Sequence, residues 1–394
     1  MTTRLPQADW RAREGLDALL DALGVEAGET RFVGGAVRDT LLRLAVHDID
    51  LATRLLPDNV LARLKTAGIK AIPTGLAHGT ITAVLPQGPV EITTLRRDVS
   101  TDGRRATVAY TDDWQEDAAR RDFTINALSA DPLSGEICDY FGGLEDLKSG
   151  RVRFIRDPLT RIAEDHLRIM RFFRFQARFG KGVPDEAALS ACAARARDLM
   201  ALSRERIADE LLKLLALPDP SPTVKLMIAH GIFTPVLPEI TQVEGLEQLE
   251  ATEEAHHAPP VALRRLAALL PADPVLADSV GARLKLSKAQ RKILFTLGGR
   301  NAEDAISPHA LAYWVGIERA RDRLLLGGYP QDTLNNWTPP RFPLSGGDLI
   351  ARGLASGPIV TITLKAIELK WVAAGFPPQP ILEQFISEAL TASR

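Results

Sequence analysis

The chain has 394 residues, of which 45% are hydrophobic and 25% charged, and its formal net charge is −2 at pH 7. This composition is ordinary for a soluble globular protein, and the length predicts two to four domains. The nearly balanced charge excludes a globally basic nucleic-acid binder, so any surface for polyanions must be local.

Cysteine content and the N-terminal residues predict the compartment. Cys138 and Cys192 are the two cysteines of the chain, which excludes a disulfide framework or a cysteine-based zinc site and fits a reducing environment. The N-terminal residues contain no apolar signal segment, and no stretch approaches the length of a membrane span. These features predict a cytoplasmic protein that does not use a membrane.

The first predicted element of interest is a strand that breaks at two glycines and passes into a helix. Arg31–Val33 is the strand, Gly34 and Gly35 form the turn, and apolar residues at helical spacing follow between positions 36 and 42. Backbone N–H groups at such a turn, added to the positive end of a helix, attract anions. Arg38 adds a planar fork for phosphate oxygens. The spacing matches neither the P-loop nor the dinucleotide fingerprint.

Two carboxylates, Asp48 and Asp50, follow this helix. Side chains two apart on a strand point to the same face, so the pair would stand side by side near the glycine turn. Magnesium prefers a few carboxylates plus substrate phosphates, and such ions can clamp the oxygens of an in-line displacement. The alternative is a solvated turn. The preceding Gly-Gly-x-x-Arg-Asp segment favours a site for magnesium and a nucleoside triphosphate.

Two β-rich stretches and a polar stretch come next. Residues 78–84 and 90–95, separated by a turn at 86–89, predict a hairpin beside the strand that carries the two aspartates. Glu91 is then either a third acid near that pair or an exposed strand residue. The polar residues 96–113, which include Asp102, Gly103 and Arg104, predict a mobile loop.

The segment 120–127, RRDFTINA, places two cations directly before an acid and an apolar anchor. Taken alone, it is typical of a helix end with a local ion pair. Beside a phosphate site, Arg121 is better explained as a second guanidinium for the nucleotide.

From about residue 157 the chain is predicted to be almost entirely helical. Asp157-Pro158 is a helix start signal, and one helix is predicted to continue to Gly180. Four charged residues recur along it at a spacing of three: Asp165, Arg168, Arg171 and Arg174. A surface salt bridge between the first two is the simple explanation. The alternative is functional, because an acceptor and a planar donor on one helix can together recognise the polar edge of a nucleobase.

The remaining chain is read as amphipathic helices. The segment 203–215 predicts one helix, and His256-His257 lacks the partners of a metal phosphohydrolase site and is read as a loop. Residues 343–373 predict a small helical module whose glycines either approach an RNA phosphate or cap helices.

Taken together, these segments resemble the class II tRNA nucleotidyltransferases, the CCA-adding enzymes, and their relatives the bacterial poly(A) polymerases. Five motifs in the order of that family carry the resemblance: residues 34–39 (GGAVRD), 48–53 (DIDLAT), 120–127 (RRDFTINA), 164–168 (EDHLR) with Arg171 and Arg174, and 203–207 (SRERI).

The resemblance implies an α+β fold. A polymerase-β-like head with a small mixed sheet would occupy residues 1–145, a helical neck that selects the nucleotide residues 146–216, and a helical body and tail that bind RNA residues 217–394. It also implies that a tRNA 3′-hydroxyl attacks CTP or ATP and releases pyrophosphate. No obligate protein partner is indicated.

The resemblance also implies residue roles. Asp48 and Asp50 would bind Mg²⁺ in the catalytic centre, with Glu91 as the third acidic group. Gly35, Arg38 and Arg121 would hold the triphosphate. Asp165 and Arg168 would select C and A, and Arg171 and Arg174 would support the nucleotide. The alternatives are a poly(A) polymerase with the same head chemistry and a catalytically silent RNA-binding protein.

Overall fold

The computed structural model describes residues 4–102 and 105–392. The chain divides into two compact units. The first extends to Glu210 and takes in Ala229–Val236, and the second comprises Leu211–Ile228 and the chain from Leu237 onward. The α+β class is confirmed, since the described strands all lie in the first unit and helices account for the second. The boundaries expected at 145 and 216 stay predictions. No described helix is long and apolar enough to cross a membrane.

Nine strands are found among the described residues: β1 Thr30–Val33, β2 Ile49–Thr53, β3 Ala71–Gly75, β4 Thr80–Leu85, β5 Gly88–Thr94, β6 Arg96–Asp102, β7 Arg105–Tyr110, β8 Ser129–Ala130 and β9 Ile137–Cys138. Seven of them form one sheet in the order β3-β4-β5-β2-β1-β8-β9. Only β2 and β5 run parallel, so the predicted small mixed sheet is confirmed. The predicted hairpin beside the aspartate strand is confirmed as β4–β5.

The polar stretch after the sheet is not the loop that its composition predicts. Strands β6 and β7 pair antiparallel as a separate hairpin, from Arg96 opposite Tyr110 to Asp102 opposite Arg105. Valine and threonine recur through this stretch, and β-branched residues favour extended backbone. The part of the loop prediction that concerns Gly103 and Arg104 lies outside the described residues.

Among the described residues, eight helices belong to the first unit and a ninth has residues in both units: α1 Leu16–Ala22, α2 Gly35–Leu41, α3 Pro57–Thr66, α4 Trp114–Ala119, α5 Gly143–Ser149, α6 Pro158–Glu164, α7 Arg168–Phe179, α8 Glu186–Ala194 and α9 Arg204–Leu215. Helix α2 buries Ala36 and Val37 completely, as its apolar spacing predicts.

The single helix predicted from residue 157 to 180 is wrong, because α6 and α7 are separate. Asp165 between them is extended, with φ −151° and ψ 106°. Its Oδ1 accepts a hydrogen bond of 3.1 Å from the Leu167 N–H. Short acidic side chains often bind nearby backbone in this way and so compete with the helix. Asp165 therefore marks a break, and the three arginines lie on α7.

An aromatic core ties α7 to the segment 120–127. The Phe123 ring centroid lies 4.9 Å from that of Phe154 and 5.1 Å from that of Phe175. Phe123 and Phe154 also form an isolated β-bridge, and both are fully buried with Phe172. Burial of each such ring contributes roughly 1.5–3 kcal/mol, so this cluster fixes the arginine segment against the helix.

The second unit contains the remaining helices: α10 Ser221–Ala229, whose last residue belongs to the first unit, α11 Glu244–Ala255, α12 Ala262–Ala268, α13 Pro274–Arg283, α14 Lys288–Gly298, α15 Pro308–Val315, α16 Ile317–Leu326, α17 Gly346–Ala351, α18 Pro358–Ala373 and α19 Gln379–Ala392. The glycines of the tail segment sit at helix ends, with Gly346 and Gly357 at helix starts and Gly353 after α17. Ser345 and Asp348 form a capping box for α17, and Gly357 precedes α18. This supports the helix-cap explanation of those glycines.

Candidate functional site

A cavity of about 380 Å³ in the first unit brings most of the predicted site residues together. Its lining residues are Gly34, Gly35, Arg38, Asp50, Arg121, Asp122, Asn126, Asp165, Arg168, Arg171 and Phe175. Seven of the ten residues expected at the site line this cavity. The other three, Asp48, Glu91 and Arg174, lie outside its lining.

The glycine turn forms one side of the cavity. Gly34 caps α2 with φ 63° and ψ −122°, a conformation that side-chain-bearing residues rarely adopt. A Cβ atom there would also lie 2.9 Å from Arg121 Nη1. At Gly35 the nearest atom, Arg38 Nη2, would be 3.7 Å away, which is ordinary contact. Gly34 is therefore the position that needs glycine, although Gly35 was the glycine assigned to the substrate.

Asp48 and Asp50 lie at the start of β2. Asp48 precedes the strand and is exposed, and Asp50 lies within it opposite Glu91 of β5. Burial raises the pKa of Asp50, and the charges of Glu91 and Asp48 raise it further, while Arg121 and Arg38 act in the opposite direction. An acid in these surroundings is stabilised in its charged form by a cation.

The donor chemistry at this edge fits a divalent ion that completes its coordination with phosphate oxygens. Among residues 4–102 and 105–392, no group of three or more histidine, cysteine, aspartate and glutamate side chains is arranged to hold a metal. Magnesium needs fewer, because it commonly binds one or two carboxylates plus substrate phosphates and water. Asp48 and Asp50 are the residues that could hold it.

Two guanidinium groups of the cavity differ in how tightly the protein holds them. Arg38 is buried, donates from Nε to Asp39 Oδ1 at 2.7 Å and from Nη1 to Asn126 Oδ1 at 2.5 Å. Burial lowers its pKa, which Asp39 partly offsets. Arg121 makes only long contacts, 3.4 Å to the Asn126 carbonyl and 3.5 Å to Asp117 Oδ2. Compared with Arg38, Arg121 therefore has more N–H donor capacity left to bind a ligand.

Asn126 connects the glycine turn to α7. Its Oδ1 accepts from Arg38 and its Nδ2 donates to Asp122 Oδ1 at 2.9 Å. Asp122 Oδ2 in turn accepts from Arg171 Nε at 2.8 Å. Burial raises the pKa of Asp122, but Arg171 and Asn126 more than offset this, so the pKa lies below its usual range. The carboxylate is therefore charged and holds Arg171 at the cavity wall.

The side chains of the two residues expected to recognise the base do not pair with each other, although the Arg168 N–H donates to the Asp165 carbonyl at 3.0 Å. Asp165 Oδ2 accepts from Arg206 at 2.8 Å, and Arg168 Nη1 donates to Glu164 Oε2 at 2.5 Å. Arg168 Nη2 also donates to the Arg120 carbonyl at 3.2 Å. The surface salt bridge considered from the sequence is therefore not formed. The cavity instead presents an acceptor and a planar donor that separate partners hold in place.

Arg174 turns away from the cavity. Its Nε donates to Glu210 Oε2 at 2.5 Å, and its guanidinium carbon lies 4.7 Å from the Phe175 ring centroid. Because Phe175 does line the cavity, Arg174 supports a wall without reaching the interior.

Sequence reasoning left out the residues that hold the others in place. Asp122 and Asn126 belong to the same motif as Arg121, and Arg206 belongs to the motif 203–207, but none was assigned a site role. Arg161 is buried, and its Nη2 donates to the Arg121 carbonyl at 2.6 Å. The available signal was a polar side chain next to apolar ones, as Asp122 is next to Phe123 and Asn126 lies between Ile125 and Ala127, since such groups are buried only with partners.

Comparisons with known proteins agree with this geometry. A family model described as "Poly A polymerase head domain" matches residues 30–153. A second, described as "Probable RNA and SrmB- binding site of polymerase A", matches residues 184–243.

Similar proteins span nearly the whole chain. "CCA tRNA nucleotidyltransferase 1, mitochondrial" of Danio rerio is 36% identical over 377 residues, 91% of this chain and 86% of that protein. The Homo sapiens protein of the same name is 34% identical over 95% of this chain and 90% of its own length. Among solved structures, the CCA-adding enzyme of Bacillus stearothermophilus in complex with CTP has a TM-score of 0.75 at 26% identity. The match covers 96% of this chain and 99% of that one.

Proposed function

The chain belongs to the family of CCA-adding tRNA nucleotidyltransferases and poly(A) polymerases, and we propose that it adds C, C and A to the 3′ end of tRNA without a nucleic-acid template. CTP and ATP supply the nucleotides and pyrophosphate leaves. The observation that carries the proposal is the cavity that unites Asp50, the arginines Arg38 and Arg121, and the pair Asp165 and Arg168.

Asp48 and Asp50 hold divalent metal in this proposal, and the metal is magnesium. When bound, the metal supplies positive charge to the attacking and leaving oxygens of an in-line displacement. Glu91 lies beside Asp50 and adds to the local negative charge. Burial and, after it, the charges of Glu91 and Asp48 raise the pKa of Asp50, and a bound cation would relieve both effects, which supports cation binding at this edge of the sheet.

The triphosphate lies along the glycine turn. Gly34 and Gly35 leave room for phosphate oxygens, and Arg121 has unfilled donor capacity for them. Arg38 contributes charge from a fixed position because Asp39 and Asn126 already orient its guanidinium. Charge-assisted hydrogen bonds from guanidinium to phosphate are among the strongest that a protein makes.

Asp165 and Arg168 select the base. Cytosine and adenine both carry an exocyclic amino donor, which a carboxylate accepts, and a neighbouring ring acceptor suits a guanidinium. Uracil and guanine present a carbonyl oxygen where the amino group is needed, so the Asp165 carboxylate would face an acceptor and stay unpaired. Sites of this kind reject the wrong ligand strongly. Arg171 and Arg174 support the nucleotide through Asp122, Glu210 and Phe175.

The tRNA is the second substrate, and residues 217–394 form the body and tail that bind it, with head and neck at 1–145 and 146–216. Named relatives that are mitochondrial leave a cytoplasmic location as a prediction.

Addition to defined tRNAs tests the function. The purified protein, given magnesium, CTP and a tRNA that ends before the CCA, should add two C residues, and subsequent ATP should add one A. Lack of incorporation from CTP removes the proposal.

A poly(A) polymerase is the alternative that the name of the head-domain model favours. Such an enzyme would extend an unstructured RNA with many A residues from ATP alone, so this substrate decides between the two activities. The relatives that match over more than nine-tenths of the chain are tRNA enzymes, which favours CCA addition.

The variant Asp48→Ala separates an enzyme from a silent RNA-binding protein. Nucleotide addition should disappear while tRNA affinity in a filter-binding assay stays nearly unchanged. Activity that survives the substitution would refute the metal assignment.

A further inference from the structure

Two further cavities of the first unit share a wall at the base of the β6–β7 hairpin. One has a volume of about 250 Å³ and is lined by Arg97, Glu116, Arg120, Arg156, Arg161 and Glu164. The other has a volume of about 550 Å³ and is also lined by Arg97 and Glu116, together with Arg54, Leu56 and Tyr110. Both cavities are lined by Arg97 and Glu116, so they adjoin at these two side chains, and together we call them the groove.

The smaller cavity has an excess of positive charge, with four arginines against two glutamates. Arg120 is held by Asp117 at 2.8 Å. Arg97 is 59% exposed and reaches Glu116 only at 3.7 Å, so this pair is weak. Arg156 is exposed, and the described residues offer it no ion pair. Arg97 and Arg156 are therefore the charges available to an anion.

Arg156 is placed by an unusual backbone. Its φ is 64°, in the left-handed region that arginine rarely adopts and that glycine and asparagine tolerate. Asp157 directly after it caps α6 by accepting from the Thr160 N–H at 2.8 Å. Residues held in disfavoured backbone conformations cluster at functional sites, so this conformation indicates a functional role for Arg156.

The larger cavity suits bases better than phosphates. Tyr110 is 42% exposed and Leu56 is 48% exposed. Asp112 and Asp113 line this cavity as well, so it carries no excess of positive charge, and carboxylates accept hydrogen bonds from base amino groups. Gly79 packs against Tyr110, since a Cβ there would lie 2.9 Å from Cε1 of the ring. One part of the ring is thus supported while the rest is open.

The groove adjoins the nucleotide cavity through shared contacts. Glu164 lines the smaller groove cavity and accepts from Arg168, which lines the nucleotide cavity. The Arg120 carbonyl also accepts from Arg168. The smaller cavity of the groove is therefore linked to the nucleotide cavity by the ion pair of Glu164 with Arg168.

We propose that this groove binds the single-stranded 3′ end of the tRNA, with a phosphate at Arg156 and Arg97 and a base stacked on Tyr110. A local excess of guanidinium groups beside an open aromatic ring is the combination that single-stranded nucleic acid requires. The inference rests on the proposed function, because it assigns the RNA substrate of the same reaction to a place.

Substitutions at Arg156 test the phosphate contact with the backbone unchanged. Arg156→Asn removes the charge and tolerates the left-handed conformation, and Arg156→Lys keeps the charge. Arg43→Asn is the matched control, because Arg43 is also an exposed arginine with positive φ, 58°, but lines neither the groove nor the nucleotide cavity. Tyr110→Ala and Tyr110→Leu test stacking, since leucine keeps an apolar contact without an aromatic face.

With a tRNA that ends before the CCA, Arg156→Asn should raise KM for tRNA about three- to fivefold and leave KM for CTP unchanged. The slope of log(kcat/KM) for tRNA against log salt should fall by about 0.7, the value for one single-strand phosphate. Arg156→Lys should keep most of the affinity, and Arg43→Asn should behave as wild type. Tyr110→Ala and Tyr110→Leu should also raise KM for tRNA.

Three outcomes overturn the inference: unchanged KM for tRNA in Arg156→Asn, an equal change in Arg43→Asn, or a rise in KM for CTP alone. The last would indicate that the groove holds the phosphates of a nucleotide. A wild-type protein that adds no nucleotide to any tRNA would instead refute the proposed function, so the two failures are distinguishable.

Discussion

Two arginine–carboxylate networks, one in each unit, use the same chemical groups for opposite purposes. In the first unit, Arg38, Asn126, Asp122 and Arg171 form a chain along an open cavity. In the second unit, Arg264 Nη2 donates to Glu253 Oε1 at 2.6 Å and its Nη1 to Asp322 Oδ1 at 2.9 Å. Arg265 Nε completes that group with Glu253 Oε2 at 2.8 Å.

Exposure separates the two networks. The four side chains of the second are at most 8% exposed, and Arg265 also donates to the Leu215 carbonyl at 3.0 Å. In the first, Arg38, Asn126 and Asp122 are also at most 9% exposed, but Arg171, which lines the open cavity, is 31% exposed. Buried charges with complete sets of partners hold a structure together, whereas partly exposed ones can exchange a protein partner for a ligand. The difference teaches that exposure, more than residue type, marks the functional network.

The largest expected effect comes from substitution of Asp50, which lines the nucleotide cavity. Asp50→Asn should lower kcat/KM for CTP at least a thousandfold, about 4 kcal/mol of transition-state stabilisation, because it removes a metal-binding carboxylate. The free energy of unfolding should not fall, since the substitution removes a part-buried charge next to Glu91. Primer extension and urea unfolding measure the two quantities. A loss of stability that equals the loss of activity would contradict the distinction between the networks.

Breaking the buried network of the second unit should lower stability and leave activity nearly unchanged. Glu253→Gln leaves Arg264 and Arg265 without their shared carboxylate, and removing one partner of a buried pair costs about 3–5 kcal/mol. Urea unfolding should show this loss, while kcat of the folded enzyme at low temperature stays close to wild type. Glu254→Gln, at the exposed neighbouring position, is the control and should leave the urea midpoint unchanged.

Asn126→Ala tests the hydrogen bonds through which Asn126 joins Arg38 to Asp122 in the network of the first unit. The substitution removes one partner each from Arg38 and Asp122, which should lower the free energy of unfolding by about 1–3 kcal/mol. KM should rise for both CTP and ATP by about tenfold, because Arg38 and Arg171 lose their common support. Asn335→Ala is the control. Asn335 also accepts a hydrogen bond from an arginine, but it is exposed, so its loss should change neither the free energy of unfolding nor KM. An effect on one nucleotide only would assign Asn126 to base selection instead.

The smallest effect is expected at Arg319, a partly exposed residue at the edge of the buried network in the second unit. Arg319 pairs with Asp322 Oδ2 at 2.8 Å but is 29% exposed, and Asp322 keeps Arg264 when Arg319 is lost. Arg319→Ala should therefore lower the free energy of unfolding by only about 0.2–1 kcal/mol. Should this loss match that of Glu253→Gln, exposure would not explain the strength of the network.

Much of the catalytic edge follows from local pattern. The strand before Gly34, the strand that carries Asp50 and the hairpin that carries Glu91 lie where turn residues and β-rich stretches place them. These features depend on neighbours within a few residues, so a single sequence contains the information. The same reasoning was wrong at residues 96–113, where the polar composition predicts a loop but the backbone forms a hairpin. It was also wrong at Asp165, where a hydrogen bond between backbone and side chain ends a helix.

The amino-acid sequence by itself therefore determined most element types, the family and most of the candidate residues, because periodicity, turn chemistry and ordered motifs are local properties. Only the tertiary structure decided which distant charges meet: Asp165 with Arg206, Asp122 with Arg171, and Arg38 with Asp122 through Asn126. These partners come from separate segments, and the packing of Phe123 against Phe175 brings two of them, the segment 120–127 and α7, together. Such pairings depend on the burial of distant apolar side chains, and no spacing along the chain encodes them.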